Sequence, residues 1–176
     1  MNKKLCLLKV LLLITFISVA QPPNDGYYLD GVDDYIELSD SDNINTTTIN
    51  NRTIEGYFKV DDATNRQVIY KEGGGSRGIV LYVENDYVVV GGYNRQNSDY
   101  SPRWNGTYFR EPISDDTWYH IALVFDNVGV PVNDPIAASD NTNLKWYLDG
   151  TLMDSRAGFE IRSHSGDINL GRSDSN

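Results

Sequence analysis

The chain has 176 residues, with 15 basic against 25 acidic residues and a formal net charge of −10 at pH 7. This acidic balance argues against nucleic acid or an anionic membrane as a partner, because both carry negative charge. The single cysteine, Cys6, lies in the N-terminal apolar segment, so the rest of the chain must fold without disulfides.

The first twenty residues have the pattern of a secretory signal peptide. A basic start, Lys3-Lys4, precedes a largely apolar run from Leu5 to Val19, and Ala20 is a small residue at the cleavage position. The run is interrupted by Lys9 and is shorter than the roughly 20 apolar residues of a membrane-spanning helix. We therefore predict cleavage after Ala20, no membrane insertion, and a secreted, extracellular or cell-surface location.

The remaining residues, 21–176, are predicted to form one all-β domain. Runs rich in Val, Ile, Tyr, Phe, Thr and Trp alternate with clusters of Gly, Asn, Asp and Pro, and helical periodicity is absent. The predicted strands are, in chain order, Thr53–Val60, Gln67–Lys71, Gly78–Val83, Tyr87–Tyr93, Trp118–Asp126, Leu144–Leu148, Thr151–Met153 and Ile168–Gly171.

Turns and loops follow from the residues between these strands. Asp149-Gly150 is a strong hairpin signal, and Glu84-Asn85-Asp86 marks another turn. Residues 94–106 and 128–143 are predicted to be long loops, since they are polar or rich in proline. The strand Trp118–Asp126 is apolar on both faces, which predicts a central position in its sheet.

Four ordered segments resemble the laminin-G-like jelly-roll domains of the concanavalin A-like lectin and glucanase superfamily: Tyr28–Ile36, Thr53–Phe58, Trp118–Asp126 and Trp146–Gly150. The resemblance implies a jelly roll, a sandwich of two antiparallel sheets. We expect a core between the sheets that contains the large aromatic residues of these segments, namely Tyr35, Phe58, Trp118, Phe125 and Trp146.

The resemblance also implies a closing strand after Ile168–Gly171, paired beside a first strand around Tyr27–Leu29. The sequence ends at Asn176 without such a strand. We therefore expect a jelly roll that lacks its closing strand, with an unpaired sheet edge. It would be a C-terminally truncated part of a larger multidomain protein.

Catalytic residues are not evident in the sequence. The glucanases of this superfamily carry alternating carboxylates along one strand, whereas the acidic residues here occur as adjacent pairs at turns, such as Asp61-Asp62. His120 lies inside a predicted strand and His164 lies between serines, and neither adjoins an evident nucleophile. We predict that the protein is not an enzyme, and a polysaccharide-degrading activity is the least favoured function.

Calcium is the predicted cofactor, if any is bound. Asp30, Asp33 and Asp34 place three carboxylates within five residues beside Gly31, and hard cations need several oxygen ligands. The resemblance supports this site, because members of the superfamily often hold calcium near the first and last strands, although an acid on the closing strand would be missing from this chain. The alternative is a tight Asp-Gly turn that holds no metal.

The loop after Tyr93 is the candidate glycan site. Sugars are bound by flat aromatic faces and by planar polar groups, and this loop combines both kinds. Its candidate residues are Asn94, Arg95, Tyr100, Arg103 and Trp104. In the alternative, Trp104 packs under the loop against the sheet.

These features together predict a secreted, non-catalytic binding module, for a glycan or an extracellular protein, that acts in carbohydrate binding or adhesion and depends on calcium if that ion is bound. The alternative is a structural spacer or a protein-interaction domain of a larger cell-surface protein.

Overall fold

The computed structural model describes residues 25–48, 51–94, 104–126, 142–158 and 161–173. Within these ranges the chain forms strands and turns, and none of it is a helix that could cross a membrane. The strands are β1 (Ile36–Leu38), β2 (Asn51–Phe58), β3 (Gln67–Gly73), β4 (Arg77–Glu84), β5 (Tyr87–Asn94), β6 (Trp104–Pro112), β7 (Tyr119–Asp126), β8 (Leu144–Leu148), β9 (Thr151–Arg156) and β10 (Ile168–Leu170).

The strands form two antiparallel sheets. The six-stranded sheet has the order β1-β10-β3-β4-β5-β6, and the four-stranded sheet has the order β2-β7-β8-β9. Apolar side chains from the inner faces of both sheets meet in one core. Residues with at most 3% exposure in this core are Ala63, Ile79, Leu81, Val83, Val88, Val90, Phe109, Leu123, Phe125, Leu144, Trp146 and Ile161. The predicted all-β sandwich is therefore confirmed.

Two tight turns set the register of the hairpins. Asn85 and Asp86 join β4 to β5 with φ of 54° and 65°, and Asp149 and Gly150 join β8 to β9 with φ of 49° and 76°. A two-residue turn with positive φ at both central residues has a backbone twist that matches the right-handed twist of the two paired strands. The hairpin predicted from Asp149-Gly150 is confirmed.

Each of the eight strands predicted from residue alternation is present, with ends that move by at most three residues. The central position of the strand that begins at Tyr119 is also confirmed, because β7 lies between β2 and β8. The predicted loop 94–106 is wrong at its end, since β6 already begins at Trp104. Gly106 and Pro112 interrupt the alternation of this strand, and its pairing with β5 is a long-range contact that local patterns do not display.

The predicted strand around Tyr27–Leu29 is wrong, because residues 25–35 contain no strand. The first strand is β1, which pairs with β10 at the edge of the six-stranded sheet. The segment before it is held by isolated contacts: a Cβ placed on Gly171 would lie 2.5 Å from a methyl carbon of Leu29.

Of the aromatic residues predicted for the core, Phe58, Phe125 and Trp146 are confirmed, with exposures of 5%, 2% and 0%. The prediction is wrong for Tyr35 and Trp118, which are 44% and 40% exposed. Trp118 precedes the first residue of β7, so strand alternation does not turn its side chain into the sandwich.

A buried ion pair joins the two sheets. Arg52 of β2 donates through Nη1 and Nη2 to the two carboxylate oxygens of Glu72 of β3, at 2.7 and 2.6 Å. Glu72 has no exposed surface, and Tyr70 donates a hydroxyl hydrogen bond to the same carboxylate. Arg52 also donates to the carbonyl of Ile44, at 2.9 Å. The pair thus links both sheets to the chain that precedes β2.

The protonation states in this cluster are firmly held. Burial lowers the pKa of Arg52, but the hydrogen bond and the charge of Glu72 outweigh it and raise the pKa above its ordinary value. Burial, helped by the charge of Glu72, raises the pKa of Tyr70 as well. Arg52 therefore stays cationic and Tyr70 stays neutral at every pH at which the domain would be used.

Asn45 fastens the chain after β1 to the chain before β10. Its Nδ2 donates to Asp40 Oδ1 at 2.6 Å and to the carbonyl of His164 at 3.1 Å, and its own carbonyl accepts from the His164 amide at 2.8 Å. Asn45 has no exposed surface. Because its side-chain amide is enclosed and bonded, the Asn-Thr-Thr sequence at this position is inaccessible for glycosylation in the folded domain.

The core assignment predicts different costs for two tryptophans. Trp146→Ala should lower the free energy of unfolding by about 3–5 kcal/mol, because it leaves a cavity between the sheets. Trp118→Ala is the matched control and should cost about 1 kcal/mol or less, since the side chain keeps much of its contact with water. Urea unfolding of both variants measures the difference, and equal losses would contradict the assignment.

The ion pair predicts a non-additive effect. Arg52→Met should destabilise the domain by about 3–5 kcal/mol, because it leaves the Glu72 carboxylate buried without a cation. The double variant Arg52→Met with Glu72→Met should lose less, since no charge remains to be buried. Denaturant unfolding of the single and double variants tests this, and a double variant that is less stable than Arg52→Met would refute the explanation.

Candidate functional site

The outer face of the six-stranded sheet carries the candidate site. In β5, Val88 and Val90 point into the core, so the alternate residues Tyr87, Val89 and Gly91 point away from it. The registers of β4 and β6 place further outward residues beside them. The tyrosines of this face are Tyr82, Tyr87, Tyr93 and Tyr108, all partly exposed.

The ring of Tyr108 packs against the backbone of two glycines, Gly91 and Gly106. It pairs across the strands with Gly91, and a Cβ placed on Gly91 would lie 2.7 Å from its Cδ1 atom. A Cβ placed on Gly106 would lie 2.8 Å from its Cε2 atom. The ring therefore packs against two glycines at a distance that any larger residue would prevent. We call this arrangement of Tyr108, Gly91 and Gly106 the Tyr108 platform.

The strand that carries the platform is tied to the other sheet. Arg156 of β9 donates to the carbonyl oxygen of Tyr108 at 3.0 Å, and its guanidinium lies 5.0 Å from the ring centre of Phe109. Thr107 donates its hydroxyl to the carbonyl of Ala157 at 2.7 Å. These contacts fix β6 although it is an edge strand, so the platform has a rigid base.

Two other tyrosines of this face are covered by arginines. The guanidinium carbon of Arg110 lies 3.6 Å from the ring centre of Tyr87, and that of Arg66 lies 4.4 Å from the ring centre of Tyr82. These are cation–π distances. One face of each ring is therefore occupied by a cation of the protein itself.

Tyr93 closes the same end of the sheet as the platform. Its hydroxyl donates to the carbonyl of Gly74 at 2.5 Å, which ties β5 to the turn after β3. The next pair along the hairpin joins Asn94 to Trp104. The loop between β5 and β6 therefore leaves the sheet next to Tyr93 and the platform.

The predicted glycan residues belong to this loop. Asn94 is 9% exposed, and its Oδ1 accepts from the Arg162 amide at 3.4 Å, so it faces the interior. Trp104 begins β6, but its side chain lies outside the described residues, as do Arg95, Tyr100 and Arg103. The outward tyrosines were not chosen from the sequence. The alternation of Tyr87–Tyr93 could have identified two of them, since valines fill the opposite face.

The predicted calcium ligands do come together. One carboxylate oxygen from each of Asp30, Asp33 and Asp34 lies within 4.8 Å of the others, and all three residues are exposed. Asp30 Oδ1 accepts from the amide of Val32 at 2.8 Å, and this hydrogen bond holds the pKa of Asp30 below its ordinary value. The turn therefore presents ionised oxygens, the donor type that calcium prefers. The same hydrogen bond would also stabilise an Asp-Gly turn that holds no metal, which is the alternative interpretation of this segment.

The histidines serve the fold. The ring of His120 lies 4.7 Å from that of Tyr57 on the outer face of the four-stranded sheet. His164 has a nearly buried side chain, and its Nδ1 contacts the carbonyl of Arg162 at 2.9 Å. Neither ring has a hydroxyl or thiol among its described partners, so neither has the geometry of a general base beside a nucleophile.

The chain belongs to the laminin G-like family Laminin_G_3, described as Concanavalin A-like lectin/glucanases superfamily, whose sequence profile matches residues 30–176. Domains LG4-5 of the mouse laminin alpha1 chain are similar in structure, with a TM-score of 0.52 and 10% identity over 81% of this chain. The binding domain of botulinum neurotoxin serotype D is similar over the same share, with a TM-score of 0.51 and 13% identity.

The chain covers 32% of each of these solved chains. At such identities the likeness establishes the laminin G-like jelly-roll fold and leaves the ligand open. None of the curated protein sequences compared with the chain matches it.

Proposed function

We propose that this chain is a secreted, non-catalytic carbohydrate-binding module that binds sugar on the Tyr108 platform. The observation that carries the proposal is the packing of the Tyr108 ring on Gly91 and Gly106, which turns a partly exposed aromatic face outward. Pyranose rings present patches of C–H groups that pack against such a face. A rigid base keeps the entropic cost of binding low.

The neighbours of the platform support binding without catalysis. Along the row that crosses the sheet from Tyr108, the outward residues are Gly91, Val80, Lys71, Asn169 and Glu37. Glycoside hydrolysis needs two carboxyl groups on either side of the scissile bond. The one carboxylate of this described row, Glu37, lies on β1 at the opposite edge of the sheet from Tyr108, so the row can hold a sugar but does not supply an acid and a nucleophile around it.

The loop after Tyr93 would supply the hydrogen bonds. Arg95, Tyr100, Arg103 and Trp104 lie in or beside the segment that joins β5 to β6, and both strands reach the platform at that end. Polar and aromatic groups there would orient the sugar hydroxyls. Membership of the laminin G-like family and the N-terminal signal pattern both support a role outside the cell, in glycan binding or adhesion.

Calcium is proposed as a stabilising ion at the turn of Asp30, Asp33 and Asp34. The three exposed carboxylates would provide part of its oxygen shell, and water would complete it. This turn precedes β1, which lies at the opposite edge of the six-stranded sheet from β6 and the platform. We therefore assign calcium a structural role, and the sugar site does not depend on it.

The sugar site is tested by one substitution and its control. Tyr108→Ala should raise the Kd for the bound glycan at least tenfold, equivalent to about 1.4 kcal/mol, because the stacking surface is removed. Tyr57→Ala removes a partly exposed tyrosine from the outer face of the other sheet and should leave the Kd unchanged. Isothermal titration after a glycan-array screen gives both values.

Two outcomes would count against the proposal. An unchanged Kd in a folded Tyr108→Ala variant would place the sugar elsewhere, and Tyr100→Ala would then test the loop. Failure of every glycan to bind the folded domain would favour the spacer or protein-interaction role.

Calcium binding is tested by thermal unfolding. Calcium at a hundred times its Kd should stabilise the domain by about 2.7 kcal/mol and raise Tm, because it binds the folded turn. Asp33→Asn should abolish this shift, and Asp116→Asn, a change in an exposed acid at another turn, should retain it. An equal shift in both variants would indicate a nonspecific ionic effect.

A further inference from the structure

We propose that the sugar site extends across the strands from Tyr108 to Tyr93 and binds two consecutive units of a glycan, one on each tyrosine ring. The inference rests on the proposed function of the Tyr108 platform. It adds a second sugar-contacting residue, and with it the class of ligand: a glycan chain with at least two linked units in contact with the sheet.

The first step is the direction in which the Tyr93 side chain runs. Tyr93 is on β5, and its hydroxyl donates to the carbonyl oxygen of Gly74, the residue after β3. Because β4 lies between β3 and β5, the side chain of Tyr93 must extend across β4 along the outer face of the sheet. The hydrogen bond, at 2.5 Å, then holds the far end of the ring in place.

The second step is the backbone beneath that ring. Gly78 pairs with Tyr93 on one side and with Gly73 on the other, so it is the residue of β4 that the Tyr93 side chain crosses. Gly78 occupies an outward position, because Ile79 beside it points into the core. A glycine within a strand allows another group to approach the backbone closely. Tyr93 therefore resembles Tyr108: a partly exposed ring that crosses the strands over glycine.

The third step is the separation of the two rings. Tyr108 pairs with Gly91, two residues before Tyr93 on β5, so the two tyrosines are diagonal neighbours about 7–8 Å apart. A Cβ placed on Gly106 would lie 2.8 Å from Cε2 of Tyr108 and 3.1 Å from its hydroxyl oxygen. The Tyr108 ring thus extends towards Gly106, which is the end of the sheet where Tyr93 lies.

The two rings together form a band across the sheet, from β6 to the turn after β3. Linked pyranose rings can span the separation of these two tyrosines, and each ring can present its C–H groups to an aromatic side chain. The second contact is made by a ligand that is already bound, so it costs little further translational freedom. A glycan of two units should therefore bind more tightly than one unit.

The experiment measures Kd against glycan length. Cello-, xylo-, manno- and galacto-oligosaccharides of one, two and four units are titrated into the wild-type domain. For any series that binds, Kd should fall at least tenfold from one unit to two, because the second unit contacts Tyr93. Kd values for one and two units that agree within threefold would overturn the inference and leave the proposed function standing.

Two substitutions of Tyr93 give the second readout. Tyr93→Ala should raise the Kd for two units about tenfold and change that for one unit less than threefold. Tyr93→Phe keeps the ring and removes the hydroxyl that binds Gly74, so it should stay within threefold of wild type. Equal losses in the two variants would assign Tyr93 a role in holding the turn and overturn its contact with sugar. Tyr57→Ala, on the other sheet, is the matched control and should behave as wild type.

Tyr108→Ala separates this inference from the proposed function. It should weaken binding of one unit and of two units alike, whereas Tyr93→Ala should affect two units alone. An unchanged Kd for two units in folded Tyr93→Ala would overturn the inference alone. If that variant does not fold, the length series in the wild-type domain decides. Absence of binding to every series would overturn the proposed function, and this inference with it.

Discussion

The ion pair between Arg52 and Glu72 is the contact on which the arrangement of the two sheets depends. A carboxylate without exposed surface is stable only with a cation and hydrogen bonds around it, so the packing of β2 on β3 must keep Arg52 and Glu72 within hydrogen-bond reach. Because β3 pairs with β4 and β10, the position of β3 relative to β2 also sets the positions of these two strands. Apolar packing supplies most of the stability, but it tolerates sliding that a bidentate ion pair does not.

The two faces of the six-stranded sheet carry different kinds of residue and have different roles. Inward valines and Phe109 join the core, while the outward positions of the same strands carry tyrosines and glycines. Gly91 and Gly106 are required because they have no Cβ atom, and a side chain at either position would push the Tyr108 ring away from the backbone. The proposed sugar surface thus arises from strands that are required for folding, which makes it rigid.

The laminin G-like fold is shared by proteins with different ligands, so function depends on what each chain places on its surface. Here that surface combines the Tyr108 platform with two rings, those of Tyr82 and Tyr87, that lie under arginines. The predicted acidic turn is a separate feature: the structure brings Asp30, Asp33 and Asp34 together, as their spacing suggested. Of the predicted sugar residues, Asn94 faces the interior, and Arg95, Tyr100 and Arg103 lie outside the described residues.

The sequence by itself determined eight of the ten described strands, the hairpin at Asp149-Gly150 and the all-β class, because alternation and turn residues act locally. The tertiary structure alone decided that Trp118 is exposed and that Glu72 is buried against Arg52, 20 residues away. It also decided the platform of Tyr108. These depend on which strands become neighbours and on which face meets the core, and long-range pairing leaves no local pattern in the chain.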